Sequence, residues 1–398
     1  MRKYNNPLFS TLLERKPLLR VPLLLFFIAS FSTSEAAVAP PPSPSPPSID
    51  AKGYVLLDAY SGAILAQKNA DMRVAPASLT KMMTSYVVFA ELRAGNIALD
   101  EEVLISEKAW RTSGSRTYVE VDTRVPVQAL LNGIIIQSGN DASVALAEHI
   151  AGDESAFVQR MNQEAKRLGL EDSHFMNSSG LPMANHYSTA RDMALLGATL
   201  AKDFPELYKI HAIKSYEYNN IEQYNRNKLL WRDESVDGIK TGYTKAAGYC
   251  LVASAQRGDM RLVSVVMGAN STKSRAKATQ SLLNYGFRYF KTRKLYDQGV
   301  SLATVRVWKG DTDNTAVGLA EPLYITAPSE QFGQMNANIE FNTKITAPVA
   351  VGDIQGTLRI TLGEEETLLD ERPIISLQSV SEGNLWQRVL DGIKMYFQ

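Results

Sequence analysis

Apolar residues alternate with polar ones in some segments of the chain and recur every three to four positions in others. Two short apolar runs, 53–58 and 63–66, flank a Ser-Gly turn at 61–62, which predicts a β-hairpin. Over 79–90 the apolar residues recur at helical spacing, which predicts a helix that ends near Gly95. The folded part of the chain is therefore expected to start with a hairpin followed by an amphipathic helix.

The middle of the chain predicts a layer of helices followed by a sheet. Residues 125–137 and 141–150 have helical patterns separated by Ser-Gly-Asn, whose glycine and asparagine suit non-helical dihedral angles. A last helix is predicted over 276–289. We therefore expect an α/β fold in which helices flank an antiparallel sheet, in a domain that covers 51–292. Three apolar runs divided by turn residues predict the meander of this sheet: 237–243, 248–255 and 261–267.

Beyond residue 292 the pattern changes to short β-like runs with Gly, Asp and Asn between them. These runs predict a smaller all-β, sandwich-like domain over 293–380. Residues 381–398 predict an amphipathic helix suited to a membrane interface. Docking of that helix on its own β domain is the alternative, and we favour the membrane because 381–383 is a flexible hinge. The apolar face of the helix contains Leu385, Trp386, Val389, Leu390, Ile393, Tyr396 and Phe397.

The composition permits two folded domains and argues against several classes of function. The chain has 398 residues, of which 45% are hydrophobic, so two cores can form without disulfides. Its 42 basic and 42 acidic residues cancel, and no basic segment with interleaved aromatic residues occurs, which argues against nucleic-acid binding. Cys250 is the only cysteine and the four histidines lack metal-ligand spacing, so we expect no structural metal and no cofactor.

The N-terminal segment has the pattern of an export signal. Basic residues precede an apolar run at 21–31 that is short for a bilayer span, and a small-x-small cleavage site follows at 34–36. We expect removal of residues 1–36, an extended proline-rich linker over 37–50, and folding that begins near Asp50. An uncleaved anchor is the alternative. The predicted working compartment lies outside the cytoplasm.

Ser78 and Lys81 lie one helical turn apart in an apolar segment, so both side chains project from one face. A lysine accepts a proton only when neutral, and burial together with a second cation lowers its pKa. We therefore predict that Lys81 is the general base for a nucleophilic Ser78, with Lys240 as the second cation. The same spacing occurs at Ser274 and Lys277, and an isolated motif of this kind is typical of a lysine that reaches from an amphipathic helix to water.

Two further motifs follow in order: Ser-Gly-Asn at 138–140, between two helices, and Lys-Thr-Gly at 240–242, on a predicted strand. A Ser-x-x-Lys, Ser-x-Asn, Lys-Thr-Gly set is typical of active-site-serine penicillin-binding enzymes. On these motifs the chain resembles the low-molecular-mass penicillin-binding proteins that are serine-type D-alanyl-D-alanine carboxypeptidases. The resemblance covers nearly all of the mature chain. It extends to four longer segments: 76–87, 137–142, 187–197 and 236–255.

The resemblance implies a role for each motif residue. Ser78 is the acyl-ester nucleophile, and Ser138 relays a proton between the lysines and the leaving nitrogen, whereas a loop serine is otherwise usually a turn former. Backbone N–H groups of Ser78 and Tyr243 would form the oxyanion hole. The implied substrate contacts are Asn140 with the substrate amide and with Lys81, and Lys240, Thr241 and Arg275 with the terminal carboxylate.

Four features leave choices open. Tyr243 follows the Lys-Thr-Gly motif where many relatives have histidine, which could change the rate or the substrate preference. Segment 111–124 looks shorter than in some members, so one rim of the cleft is undefined. Arg275, expected in a turn after the strands, matches a family arginine that reaches the carboxylate but is also compatible with a surface position. Segment 187–192 is expected at the rim of the cleft in a structural role, with Ser188 capping the next helix.

The sequence therefore predicts an enzyme that removes the terminal D-alanine from peptidoglycan pentapeptide stems through an acyl-enzyme. The resemblance implies that β-lactams acylate Ser78, that the enzyme serves cell-wall biogenesis and cell shape, and that it lies in the periplasm at the outer face of the inner membrane. Two other functions are compatible with parts of the sequence. A serine β-lactamase is disfavoured because no Glu-x-x-Leu-Asn segment lies between residues 138 and 240. An envelope binding protein with a vestigial acylase is disfavoured by the intact motifs.

Overall fold

The computed structural model of the protein describes residues 4–5 and 44–397. The predicted export signal, apart from residues 4–5, and the first part of the predicted linker lie outside the described residues. Residues 4–5 form a two-residue strand, β1 (Tyr4–Asn5). The chain divides into two compact units, an N-terminal unit, Pro44–Arg293, and a C-terminal unit that contains Lys294–Gln398.

The N-terminal unit combines an antiparallel sheet with helices. Its strands are β2 (Gly53–Asp58), β3 (Ile64–Lys68), β4 (Glu102–Leu104), β5 (Arg124–Pro126), β6 (Ser215–Tyr218), β7 (Ile221–Tyr224), β8 (Val236–Thr244), β9 (Gly248–Arg257) and β10 (Met260–Ala269). Its α-helices are α1 (Lys81–Ala94), α2 (Glu107–Arg111), α3 (Val127–Asn132), α4 (Asn140–Ala151), α5 (Glu154–Arg167), α6 (Ala190–Asp203), α7 (Pro205–Tyr208) and α8 (Thr272–Tyr289). Short 3-10 helices cover Ala77–Thr80, Lys209–Ala212 and Lys228–Trp231, and a π-helical turn covers Gly133–Gln137.

Five of these strands form one antiparallel sheet in the order β3-β2-β10-β9-β8. Because successive side chains of a strand point to opposite faces, β2 contributes to two cores. Val55 and Leu57 pack in a core shared with α1, α4 and α6, and Leu56 packs in a core shared with α8. The sheet therefore separates two layers of helices, which confirms the predicted α/β fold, including the hairpin and the three-strand meander.

Two glycines let the segments that carry the motifs approach each other closely. A Cβ on Gly242 of β8 would lie 3.2 Å from the carbonyl oxygen of Pro76, just before the Ser78 segment. Gly180 has a φ of +85°, and a Cβ there would overlap the carbonyl of Ala77. Side chains at either position would push the backbone away, so the two glycines fix the position of Ser78 between β8 and the loop before α6.

Two helix boundaries differ from those expected. Helix α8 begins four residues early because the side chain of Ser271 caps it by accepting a backbone N–H of the first turn. Arg275 therefore lies on the first turn of a helix, and its expected place in a turn was wrong. Helix α6 is capped by Thr189, whose side chain accepts the N–H of a residue in its first turn, and not by Ser188.

Contacts with the N-terminal unit also begin earlier than Asp50, where folding was expected to start. Ile49 is buried in the core beside α8. The hydroxyl of Tyr285 donates a hydrogen bond to the carbonyl of Pro44 at 2.9 Å. Residues 44–50 contain no helix or strand, as their proline content predicts, but they pack against the unit.

The C-terminal unit is β-rich and ends in a helix, as the sequence predicts. Its largest sheet has the order β1-β15-β17-β18-β13-β12-β16, and β11 pairs with β14. Its core is formed by apolar residues of these strands, among them Val307, Leu358 and Ile374. The elements are β11 (Phe290–Tyr296), β12 (Ala303–Trp308), β13 (Asn314–Gly318), β14 (Leu323–Pro328), a 3-10 helix (Ser329–Gln334), β15 (Met335–Phe341), β16 (Ile345–Thr346), β17 (Ile354–Leu362), β18 (Thr367–Ser376) and α9 (Leu385–Tyr396).

Helix α9 contacts the β-rich part of its unit through its polar face. The carboxylate of Asp391 is buried and accepts the backbone N–H of Lys309 at 2.7 Å, with the guanidinium of Arg306 at 3.6 Å. The apolar side chains are exposed, with 77% of Trp386 and 82% of Phe397 open to solvent. The structure therefore shows the helix bound to the β domain through its polar face, with the apolar face exposed. No helix among the described residues is long and apolar enough to cross a bilayer.

Candidate active site

The predicted nucleophile and base lie side by side where a 3-10 helix leads into α1. Ser78 is on the 3-10 helix, Lys81 is the first residue of α1, and Lys81 Nζ lies 3.3 Å from Ser78 Oγ. Because the two residues are three positions apart on consecutive helical turns, their side chains meet in a direct hydrogen bond. Ser78 is half-buried and lines a cavity of about 480 Å³.

Lys81 is fully buried, and its amine is held by two further acceptors. Nζ donates to Asn140 Oδ1 at 2.6 Å and to the carbonyl oxygen of Ser179 at 2.5 Å. Burial, and to a smaller extent the charge of the Arg226 guanidinium, lower the pKa of Lys81 to about 7, while the Asp141 carboxylate opposes both. A lysine in this setting is neutral in a large fraction of molecules near neutral pH.

Two cations lie close enough to act on Lys81: Lys240, which the sequence predicts in that role, and Arg226, which it does not. Lys240 is also buried, and its Nζ donates to the carbonyl of Thr241 at 3.2 Å. Burial first, and then the charge of Lys81, lower the pKa of Lys240 well below its usual value. Repulsion between two neighbouring ammonium groups is mutual, so Lys81 and Lys240 each disfavour the charged form of the other, and Arg226 adds a third positive charge that lowers the pKa of both.

Ser138 presents an unpaired hydroxyl to the cavity. The π-helical turn before it ends with Ser138 in the left-handed region, at a φ of 68°. Its Oγ is buried and has no hydrogen-bond partner within the described part of the chain. A buried hydroxyl without a hydrogen-bond partner destabilises the free protein. A ligand that forms a hydrogen bond with this hydroxyl would therefore bind more tightly.

Segment 111–124, the rim that the sequence left undefined, is held by the segment that carries Asn140. The carboxylate of Asp141 is buried and accepts the backbone N–H groups of Thr117 and Tyr118 at 2.8 Å. Asn140 Nδ2 donates to the carbonyl of Ser113 at 2.6 Å. These bonds fix the amide of Asn140, so its oxygen points at Lys81.

The cavity brings together residues from all three motifs. Ser78, Ser138 and Thr241 share its lining with Tyr243 and Arg275. Lys81, Lys240 and Asn140 lie behind this lining and touch it through hydrogen bonds and charge. Gly242 of the Lys-Thr-Gly motif also lines the cavity, and the other residues of the lining were not predicted as site residues: Ser115, Tyr224, Asn225, Arg226, Lys228, Tyr249, Leu251, Thr272 and Ala276.

Arg226 is a charged residue of the cavity lining that the sequence did not indicate. It is flanked by two buried asparagines, Asn225 and Asn227, whose amides donate to backbone carbonyls and fix this segment. Its Nη1 donates to Ser115 Oγ across the cavity at 2.9 Å. An arginine between two asparagines carries no periodic or motif signal, so only the fold reveals that it faces Lys81 and Lys240.

Arg275 is buried, which excludes the surface position left open by the sequence. Its Nη1 donates to the carbonyl of Gly242 at 3.1 Å and to that of Cys250 at 3.2 Å. The guanidinium is thus held against β8 and β9 and retains N–H groups that can face the cavity. This geometry suits recognition of a carboxylate.

The lysine of the second Ser-x-x-Lys pair reaches solvent from a helix, as expected for an isolated motif. Ser274 and Lys277 lie on α8, and Lys277 is exposed to solvent. Lys81, with the same spacing, is fully buried. Burial and contact with the other motifs, and not the spacing, distinguish the candidate base.

Comparison with known proteins agrees with this geometry. Residues 41–271 match the family described as D-alanyl-D-alanine carboxypeptidase, and residues 290–382 match the family described as Penicillin-binding protein 5, C-terminal domain. The chain is 40% identical to D-alanyl-D-alanine carboxypeptidase DacA of Escherichia coli (strain K12), over 98% of each chain. It is 41% identical to DacC of the same organism, over 94% of each chain. The crystal structure of penicillin binding protein 5 from Haemophilus influenzae is similar with a TM-score of 0.81 and 42% identity, covering 85% of this chain and 99% of that one.

Proposed function

The chain belongs to the D-alanyl-D-alanine carboxypeptidase family, and from this membership we propose that Ser78 is the nucleophile of a serine-type enzyme that removes the terminal D-alanine from peptidoglycan pentapeptide stems. The observation that carries the assignment to residues is the contact of Ser78 with a fully buried Lys81, 3.3 Å away, whose pKa is about 7. The reaction uses no cofactor.

Acylation begins with attack of Ser78 Oγ on the carbonyl carbon between the last two D-alanines. The hydroxyl proton passes to neutral Lys81 Nζ as the new C–O bond forms. The backbone N–H groups of Ser78 and Tyr243 stabilise the negative oxygen of the tetrahedral intermediate. Ser138 then passes a proton from the lysine to the leaving nitrogen, the C–N bond breaks, and D-alanine departs.

Deacylation repeats these transfers with water. Lys81, again neutral, takes a proton from a water molecule that attacks the ester carbonyl, and the proton returns to Ser78 Oγ as the C–O bond breaks. Asn140 keeps the amine in place through both steps, because its oxygen accepts from Nζ at 2.6 Å.

The substrate carboxylate is placed by the basic residues at one end of the cavity. Thr241 and Arg275 line that end, and Lys240 and Arg226 add positive charge beside it. Burial lowers the pKa of both Lys240 and Arg275, so a bound carboxylate would stabilise their charged forms. This coupling favours a substrate with a free C-terminus and therefore exopeptidase action.

β-Lactams would acylate the same Ser78 because they present a strained amide and a carboxylate at matching positions. A β-lactamase needs a group that activates water for rapid release of the acyl-enzyme. The segment between the Ser-x-Asn and Lys-Thr-Gly motifs lacks the glutamate motif that class A enzymes use for this purpose. Long-lived acylation is therefore expected, and rapid penicillin turnover would favour the β-lactamase assignment.

We also propose an exported, periplasmic enzyme that attaches to the outer face of the inner membrane through α9 and serves cell-wall biogenesis and shape. The exposed apolar face of α9, with Trp386 and Phe397, supports this attachment. The buried Asp391 supports it too, because the polar face is already engaged within the unit. The export signal predicted over 1–36 agrees with a periplasmic location.

The decisive experiment measures D-alanine release from a pentapeptide stem by the parent enzyme and by Ser78→Ala. Release should be abolished, together with covalent labelling by a fluorescent penicillin. Ser274→Ala is the matched control, because it removes the serine of the exposed motif and should leave release unchanged. Release that survives Ser78→Ala would show that another residue is the nucleophile.

A further inference from the structure

The residue after the Lys-Thr-Gly motif forms part of a stacked aromatic pair. Tyr243 on β8 lies directly opposite Tyr249 on β9 in the strand register. Their ring centroids are 4.3 Å apart, and the ring planes are inclined by 33°. Both residues line the cavity, and Tyr243 is 54% exposed. The pair is therefore a wall of the site, in which Tyr249 packs against the core and Tyr243 is open to the cavity.

This wall is supported from behind. The guanidinium carbon of Arg275 lies 5.8 Å from the centroid of the Tyr249 ring, within the range of a cation–π contact. Gly248, with a φ of +74°, lets β9 start so close to Gly268 that a Cβ would lie 3.0 Å from its Cα. The Tyr249 ring therefore has a fixed position, and the Tyr243 ring stacks on a firm surface.

The position of the pair follows from strand periodicity. Thr241 and Tyr243 are two residues apart on β8, so their side chains lie on the same face of the sheet. If Thr241 and Arg275 hold the terminal carboxylate, the ring of Tyr243 borders the part of the cavity beside that carboxylate, where the side chain of the departing residue would fit. The site residues Ser78 and Ser138 line the same cavity.

We propose that the Tyr243–Tyr249 pair is the specificity-determining wall of the subsite for the departing C-terminal residue. A rigid ring pair leaves room for the methyl group of D-alanine and excludes longer D-side chains. The inference rests on the proposed placement of the terminal carboxylate. Tyr243 stands where the resemblance implies histidine in many relatives, so this selectivity belongs to this chain's own sequence.

The test is the ratio of kcat/KM for two stem pentapeptides, one ending in D-leucine and one ending in D-alanine. Tyr243→Ala should raise this ratio by about tenfold or more, since a few methylenes in a pocket change discrimination by that order. Tyr243→Phe is the matched control, because it keeps the stacked ring, and it should retain the parent ratio. Tyr249→Ala should raise the ratio as well, because Tyr243 loses the ring on which it stacks.

An unchanged ratio in Tyr243→Ala, in enzyme that still labels with a fluorescent penicillin, would overturn the proposal. A D-alanine stem with an amidated C-terminus separates this failure from a failure of the proposed function. If the parent enzyme cleaves the amide as well as the acid, the carboxylate placement is wrong and the proposal falls with it. If the parent cleaves only the stem with a free carboxylate and the ratio is unchanged in Tyr243→Ala, the carboxylate placement stands and only the proposed wall is wrong.

Discussion

Asn140→Asp puts a negative charge beside the candidate base with almost no change in shape. The amide oxygen of Asn140 lies 2.6 Å from Lys81 Nζ. Opposite unit charges at that distance attract by about 6 kcal/mol at an effective dielectric constant of ~20. Burial of the new carboxylate offsets about half of this attraction, and a net effect of about 3 kcal/mol corresponds to a rise of roughly 2 units in the pKa of Lys81.

A base with a pKa of about 7 in the parent enzyme is neutral above that pH, so activity should rise as pH passes through neutrality. In Asn140→Asp this rise should move to higher pH, and the acylation rate at pH 7 should fall by about 50-fold, with recovery near pH 9 to 10. Stopped-flow acylation by a fluorescent penicillin between pH 5 and 10 measures the shift.

Asn140→Ala is the control, because it removes the same hydrogen bond without adding charge. It should slow acylation at every pH and leave the pH of the rise no higher than in the parent. If Asn140→Asp slows acylation uniformly and its acid limb stays near pH 7, Lys81 is not the proton acceptor.

Three other changes test separate parts of the structure. Arg226→Gln should shift the rise of the acylation rate with pH to higher pH, because it removes a cation that lowers the pKa of Lys81. A rise at the same or a lower pH than in the parent would contradict this. Gly180→Ala should destabilise the enzyme by several kcal/mol, since a Cβ at its positive φ overlaps the carbonyl of Ala77; thermal melting and penicillin labelling measure this, and a parent-like melting temperature would contradict it. Deletion of 384–398 should move the protein from the membrane to the soluble fraction, and Leu390→Glu on the exposed face should do the same; unchanged partitioning would exclude α9 as the anchor.

The elements with strong local signals could be predicted from the sequence. The hairpin of β2 and β3 is marked by its turn, and α1 by apolar spacing and by Gly95, which ends it in the left-handed region. The start of α8 was missed although a signal existed. Ser271 is a good N-cap residue three positions before Ser274, whose N–H it accepts.

The environment of Lys81 could be predicted only in part. Its burial followed from the apolar residues around it, but one of its acceptors is the backbone carbonyl of Ser179. Any residue has such a carbonyl, so sequence cannot mark it. Arg226 approaches Lys81 through a loop about 145 residues away along the chain, and such a contact is set by the tertiary fold alone.

The orientation of α9 was also beyond the sequence, because an amphipathic pattern does not say which face a domain will bind. The structure resolves the question through one residue on the polar side of the helix, Asp391. Its carboxylate is buried and bonded to the backbone of Lys309. A buried polar contact on the hydrophilic side of a helix is invisible to periodicity.

The bond between Asp391 and Lys309 has a consequence for the purified protein. The polar face of the helix is bonded to its own unit. Rotation of the helix to bury its apolar face in the absence of lipid would break this contact. Without lipid or detergent, the apolar face of α9 can be buried against the same face of another copy. Concentrated solutions without detergent should therefore contain oligomers that associate through α9. A mild detergent should disperse them, and the lipid-binding state would require no refolding of the C-terminal unit.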